Sequence, residues 1–137
     1  MIKIFNEDCF ETMNRISKAN GGVDIVLTSP PYNVRRCGQS QKALDNRDGF
    51  YDIHLDNMTD TEYIDWTEKS FINYDKILKS NGVVLYNISY GGENPSLMWL
   101  VIAEIIKRTN FMVADCIVWK KNSALPNNVS SNKLTRI

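Results

Sequence analysis

The chain has 137 residues, of which 43% are hydrophobic, with 16 basic and 16 acidic side chains and a formal net charge of zero. That length sets one domain with a modest core. The charge balance rules out a broadly basic chain, so any phosphate-binding surface is local or lies on sequence outside it.

Ile2 to Phe5 reads as a short strand. A helix follows from about Asp8 to Lys18, with Cys9, Met13 and Ile16 on one face, and Asn20-Gly21-Gly22 stops it. Val23 to Thr28 is a second strand. It is nearly all apolar and β-branched, as in a strand covered on both faces. The stretch from Asn33 to Asn57 is polar and too long for a simple connection. Thr59 and Glu62 form a capping box that opens a helix. Tyr63, Trp66, Ser70, Tyr74, Ile77 and Leu78 share a stripe along it, and Asn81-Gly82 ends it. Val83 to Ile88 is a third buried-type strand, Ser96 to Arg108 a well-buried helix, and Phe111 to Trp119 a last strand. The chain is polar from Lys120 onward. The alternation of strand and helix predicts a three-layer α/β fold.

Cys9, Cys37 and Cys116 are widely spaced, and His54 is the single histidine. They form neither a disulfide framework nor a metal-ligand pattern, so no metal is expected. With no apolar run near ~18 residues and no signal-peptide core, no membrane span is expected and the cytoplasm is the expected location.

The most informative run is Leu27-Thr28-Ser29-Pro30-Pro31-Tyr32-Asn33, at a strand's carboxyl end. Open α/β sheets place their ligand chemistry there. Two prolines fix φ and leave carbonyls free to accept. An exocyclic base amine is a poor nucleophile because its lone pair is delocalised into the ring. Accepting both of its hydrogens returns electron density to nitrogen, and Ser29 Oγ and the Pro30 carbonyl are suitable acceptors. Tyr32 offers a face for stacking a planar base. A base must leave the duplex to reach such a pocket. That costs a few kcal/mol, and stacking worth about 1–3 kcal/mol offsets much of it.

Leu27-Thr28-Ser29-Pro30-Pro31-Tyr32 resembles the catalytic motif of bacterial DNA amino-methyltransferases, the cytosine-N4 and adenine-N6 family. The Ser-Pro-Pro-Tyr form is typical of its cytosine-N4 branch. Asn6-Glu7-Asp8-Cys9 resembles the family's "G-D-C" segment, with Glu7 where glycine is usual. Leu78-Lys79-Ser80-Asn81-Gly82 resembles its "lkpgG" turn, and Ile117-Val118-Trp119-Lys120-Lys121 its "iiWdK" strand. Ser131 to Arg136 resembles the entry to the target-recognition region. The resemblance implies methyl transfer from S-adenosylmethionine to cytosine N4 of a flipped base in double-stranded DNA, within a restriction-modification system. Adenine N6, or an inactive DNA-binding remnant, is the alternative. Ser29, Pro30, Pro31 and Tyr32 would be catalytic. Asp8 and Thr28 would bind cofactor, although Asp8 also suits a helix N-cap. Asn33, Arg35 and Arg36 would meet DNA, with Lys42 and Arg47 further along the same polar loop. Asn33 also suits a turn cap.

The superfamily's Gly-x-Gly cofactor turn is nowhere in this chain. In a permuted group of the family the catalytic half comes first. The resemblance therefore implies an incomplete Rossmann-like methyltransferase fold that lacks the cofactor-loop strands. It would be an N-terminal fragment: a truncated gene product, a split subunit whose partner is a separate chain carrying the cofactor-binding half, or a fragmentary gene model. The expected single domain divides into 1–33 (strand, helix, strand and catalytic loop), 34–58 (polar loop), 59–120 (helix, strand, helix, strand) and 121–137 (start of target recognition).

Overall fold

A computed structural model describes residues 2–16, 21–33, 58–89 and 94–119. Five elements follow in order: α1 (Cys9–Arg15), β1 (Val23–Thr28), α2 (Asp60–Ile77), β2 (Leu78–Tyr86) and α3 (Leu97–Arg108). The expected polar loop with Arg35, Arg36, Lys42 and Arg47, and the stretch after Trp119, lie outside the described residues.

α1 begins where Asp8 accepts the Phe10 N–H at 2.8 Å. α2 begins at the expected capping box: the Thr59 side chain takes the Glu62 N–H, and the Glu62 carboxylate takes the Thr59 N–H. Its buried stripe includes polar residues. Thr67, Ser70 and Asn73 each donate to the carbonyl four residues back, so no buried donor among them is wasted.

β1 and β2 pair in parallel, from Val23 opposite Leu78 to Thr28 opposite Tyr86. The partner of Val23 is Leu78 but that of Ile25 is Val83, so β2 bulges in between. Gly82 sits in this bulge, where a Cβ would lie 2.7 Å from Leu78 Cδ2. Asn81-Gly82 is therefore a bulge inside β2 and not the end of the helix. α2 ends at Ile77 and Leu78 passes directly into the strand. Gly22 has φ +64° and lies against the same junction, with room only for hydrogen 3.0 Å from the Ile77 carbonyl.

The helices cover one face of this sheet. Val26, Val84 and Tyr86 pack against Met13, Tyr74, Ile77 and Leu78. α3 lies on α2 through Tyr63, Leu97, Val101 and Ile105. The opposite face is bare among the described residues: Ile25 is 59% exposed, Leu27 77%, Val83 47% and Leu85 44%. The expected three layers are thus two here, an α/β fold with a small parallel sheet, and β1 is covered on one side rather than both.

Ile2 to Phe5 and Phe111 to Trp119 form no strand. Ile2, Ile4, Met112, Ile117 and Val118 are all exposed. Strand composition becomes a strand only where a neighbour accepts the backbone hydrogen bonds, and no described segment pairs with either.

Candidate active site

Parallel pairing brings the carboxyl ends of β1 and β2 side by side, and the Asn87 N–H closes the pair on the Thr28 carbonyl at 2.9 Å. The loop from Ser29 to Asn33 leaves from this edge and is held at three points. Tyr63 of α2 is fully buried and donates its phenol hydrogen to the Pro31 carbonyl at 2.7 Å. Asn33, 2% exposed and left-handed at φ +53°, clamps the residue before α2's cap. Its amide donates to the Met58 carbonyl at 2.9 Å and accepts the Met58 N–H at 2.8 Å. At the open edge the Asn87 amide donates to the Tyr32 phenol oxygen at 2.7 Å and reaches Ser29 Oγ at 3.3 Å. The Ser29 and Tyr32 hydroxyls themselves are 2.5 Å apart.

The structure therefore brings Ser29 and Tyr32 together, with Ser29 exposed, Pro30 buried, and Pro31 and Tyr32 half-buried. Asn33 does not face outward. Its side chain serves the Met58 backbone, as the turn-cap reading expects. Asp8 serves as the helix cap. Thr28 lies beside the Tyr74 phenol, on the helix-covered side; burial raises that phenol's pKa and the Thr28 hydrogen bond partly offsets it. Arg35 and Arg36 lie outside the described residues.

Two residues that sequence reasoning missed complete the site. Tyr63 belonged to the expected apolar stripe, but nothing in the stripe reveals that its hydroxyl reaches Pro31. Asn87 had a usable signal, because it is a polar side chain in the buried-type run Val83 to Ile88. Beneath the loop, burial pushes the Tyr86 phenol far above its ordinary range. Its hydroxyl makes no hydrogen bond, although the Thr67 and Tyr63 hydroxyls are near.

A family model described as DNA methylase matches residues 23–136, which takes in the loop, both strands, α2 and α3. The chain belongs to the N6/N4 DNA methylase family. It is also 27% identical over 126 residues to the type II methyltransferase M.MjaVI of Methanocaldococcus jannaschii. That alignment covers 89% of this chain and 55% of the relative, so the chain spans about half the relative's length. No solved structure matches.

Family membership implies S-adenosylmethionine as methyl donor. Among the described residues no cofactor site is assembled, and no Gly-x-Gly turn occurs in the sequence to let backbone approach a cofactor. Asp8 caps α1 through one carboxylate oxygen, and Thr28 lies beside Tyr74.

Proposed function

We propose that this chain supplies the target-base side of an S-adenosylmethionine-dependent DNA methyltransferase acting on cytosine N4, within a restriction-modification system. The observation that carries the reading is the pairing of Ser29 with Tyr32, hydroxyls 2.5 Å apart, at the carboxyl edge of β1. Ser29 Oγ and the Pro30 carbonyl accept hydrogens from the base amine, since the Pro31 carbonyl is already taken by Tyr63. The Tyr32 ring stacks on the flipped base. No Pro-Cys pair occurs in the sequence, which disfavours a covalent cysteine route to cytosine C5. Arg35 and Arg36 are assigned to phosphates flanking the flipped base.

The cofactor-binding half lies on sequence outside these residues in this reading. The lack of a Gly-x-Gly turn and the bare sheet face among the described residues both support it. Expression in a methylation-deficient bacterial host, followed by mass spectrometry of digested DNA, tests the activity. N4-methylcytosine that disappears with Ser29→Ala is the expected result. N6-methyladenine would move the assignment to the adenine branch. An absence of methylation even with a cofactor-binding partner supplied would leave the DNA-binding remnant.

A further inference from the structure

We infer that Asn87 is a positioning residue of the base site, and that it sets the direction of the hydrogen bond between Tyr32 and Ser29. This rests on the reading of the loop as the target-base site. Asn87 is anchored by its own backbone to the end of β1 through the Thr28 carbonyl. Among the described residues, no other side chain reaches both hydroxyls. An amide N–H can only donate. Either hydroxyl could donate across the 2.5 Å pair; with one lone pair of the Tyr32 oxygen already taken by Asn87 at 2.7 Å, the assigned direction is from Tyr32 to Ser29. The Ser29 oxygen accepts that hydrogen and keeps its own, which points away from the pair. The 3.3 Å contact from Asn87 to Ser29 is too long to compete strongly for the remaining lone pair.

Ser29 thus meets the base with an outward O–H and one lone pair, beside the Pro30 carbonyl acceptor. That combination fits an edge where an amine lies next to an unprotonated ring nitrogen, as N4 and N3 do in cytosine. It does not fit an edge with a carbonyl and a protonated ring nitrogen, as in thymine. Asn87 acts on the base through Tyr32 and Ser29 and need not touch it.

The test uses Asn87→Asp, which keeps the shape but accepts instead of donating while ionised. The probe is a fluorescein-labelled duplex with one cytosine opposite an abasic site, compared with the same duplex abasic on both strands. The ratio of the two dissociation constants, read by anisotropy, isolates the contribution of the base. For the unmodified chain the ratio is expected to be flat between about pH 5 and 8. For Asn87→Asp, whose carboxyl stays ionised over this range and cannot donate, it should fall roughly five- to tenfold at every pH, the size of one hydrogen bond. Asn87→Ala should fall as far. An Asn87→Asp variant that keeps the ratio of the unmodified chain would overturn the assignment to Asn87. No base-dependent ratio in the unmodified chain would overturn the site reading itself, and the proposal with it.

Discussion

Asn33 and Tyr63 hold the loop from Ser29 to Asn33 from behind, and each does so with a bond whose loss can be measured. Asn33→Gly keeps access to the left-handed backbone at φ +53° but loses both bonds to Met58. Asn33→Ala loses the bonds and strains the backbone as well. Urea unfolding should rank the stabilities as unmodified, then Gly, then Ala, with about 2–3 kcal/mol separating the ends. Equal stability of the two variants would remove backbone strain from the account. Tyr86 should behave in the opposite way. Its hydroxyl is buried with no hydrogen bond, so Tyr86→Phe should leave stability unchanged or raise it by up to about 1 kcal/mol. A loss in the same unfolding assay would mean that the hydroxyl has a partner. The approach of Ser29 to Tyr32 follows from a tight loop of consecutive residues and was legible for that reason. Asn33's role was not, because its partner is 25 positions downstream.

At the scale of elements, the signals that survived are the self-contained ones. The Asp8 cap and the Thr59–Glu62 box are local statements that appear as read, and Val23 to Thr28 forms the strand read for it although only one side is covered. Ile2 to Phe5 and Phe111 to Trp119 needed neighbours to become strands, and the described residues offer none. The helix end at Asn81-Gly82 was misread because a glycine that relieves a bulge looks the same in sequence as one that stops a helix. The docking of α3 on α2 is tied by Arg108, which bonds Asp65 and Glu68 of α2 as well as Glu104 of its own helix. The hydrogen bonds to Glu68 and then Asp65 raise the guanidinium's pKa, while Lys107 and then Arg108 lower that of Glu104 by hydrogen bonding. A lowered carboxyl stabilises the fold above its usual 4.5 and loses that contribution as pH falls through its lower folded value. These groups are exposed, so salt should weaken the tie. Arg108→Gln should lower the melting temperature at neutral pH and low salt. Its difference from the unmodified chain should shrink below about pH 4.5 and in high salt. A difference independent of both would assign the effect to packing of the arginine stem.

At the scale of the molecule, the decisive feature among the described residues is a parallel sheet with one covered face and one apolar face in the open. Parallel sheets are stable when both faces are covered, so Ile25, Leu27, Val83 and Leu85 are where a second layer belongs. Leu27→Thr keeps strand propensity and removes apolar surface that the fold does not bury. It should lower binding of an apolar fluorescent dye while leaving stability within about 0.5 kcal/mol. The same incompleteness bears on the cofactor. Asp8 caps its helix, Thr28 lies beside Tyr74, and no Gly-x-Gly turn occurs in the sequence. Calorimetric titration of S-adenosylmethionine into this chain alone is therefore expected to give no binding heat. In the presence of a polypeptide carrying a Gly-x-Gly turn that docks on the bare face, heat should appear, and Leu27→Lys should abolish it. That substitution leaves Ser29, Tyr32 and Asn87 in place, so its effect would report on the second layer and not on the base site. Saturable heat from the isolated chain would instead mean that the described residues hold the cofactor by a route other than Asp8 and Thr28, and the two-chain reading would fall.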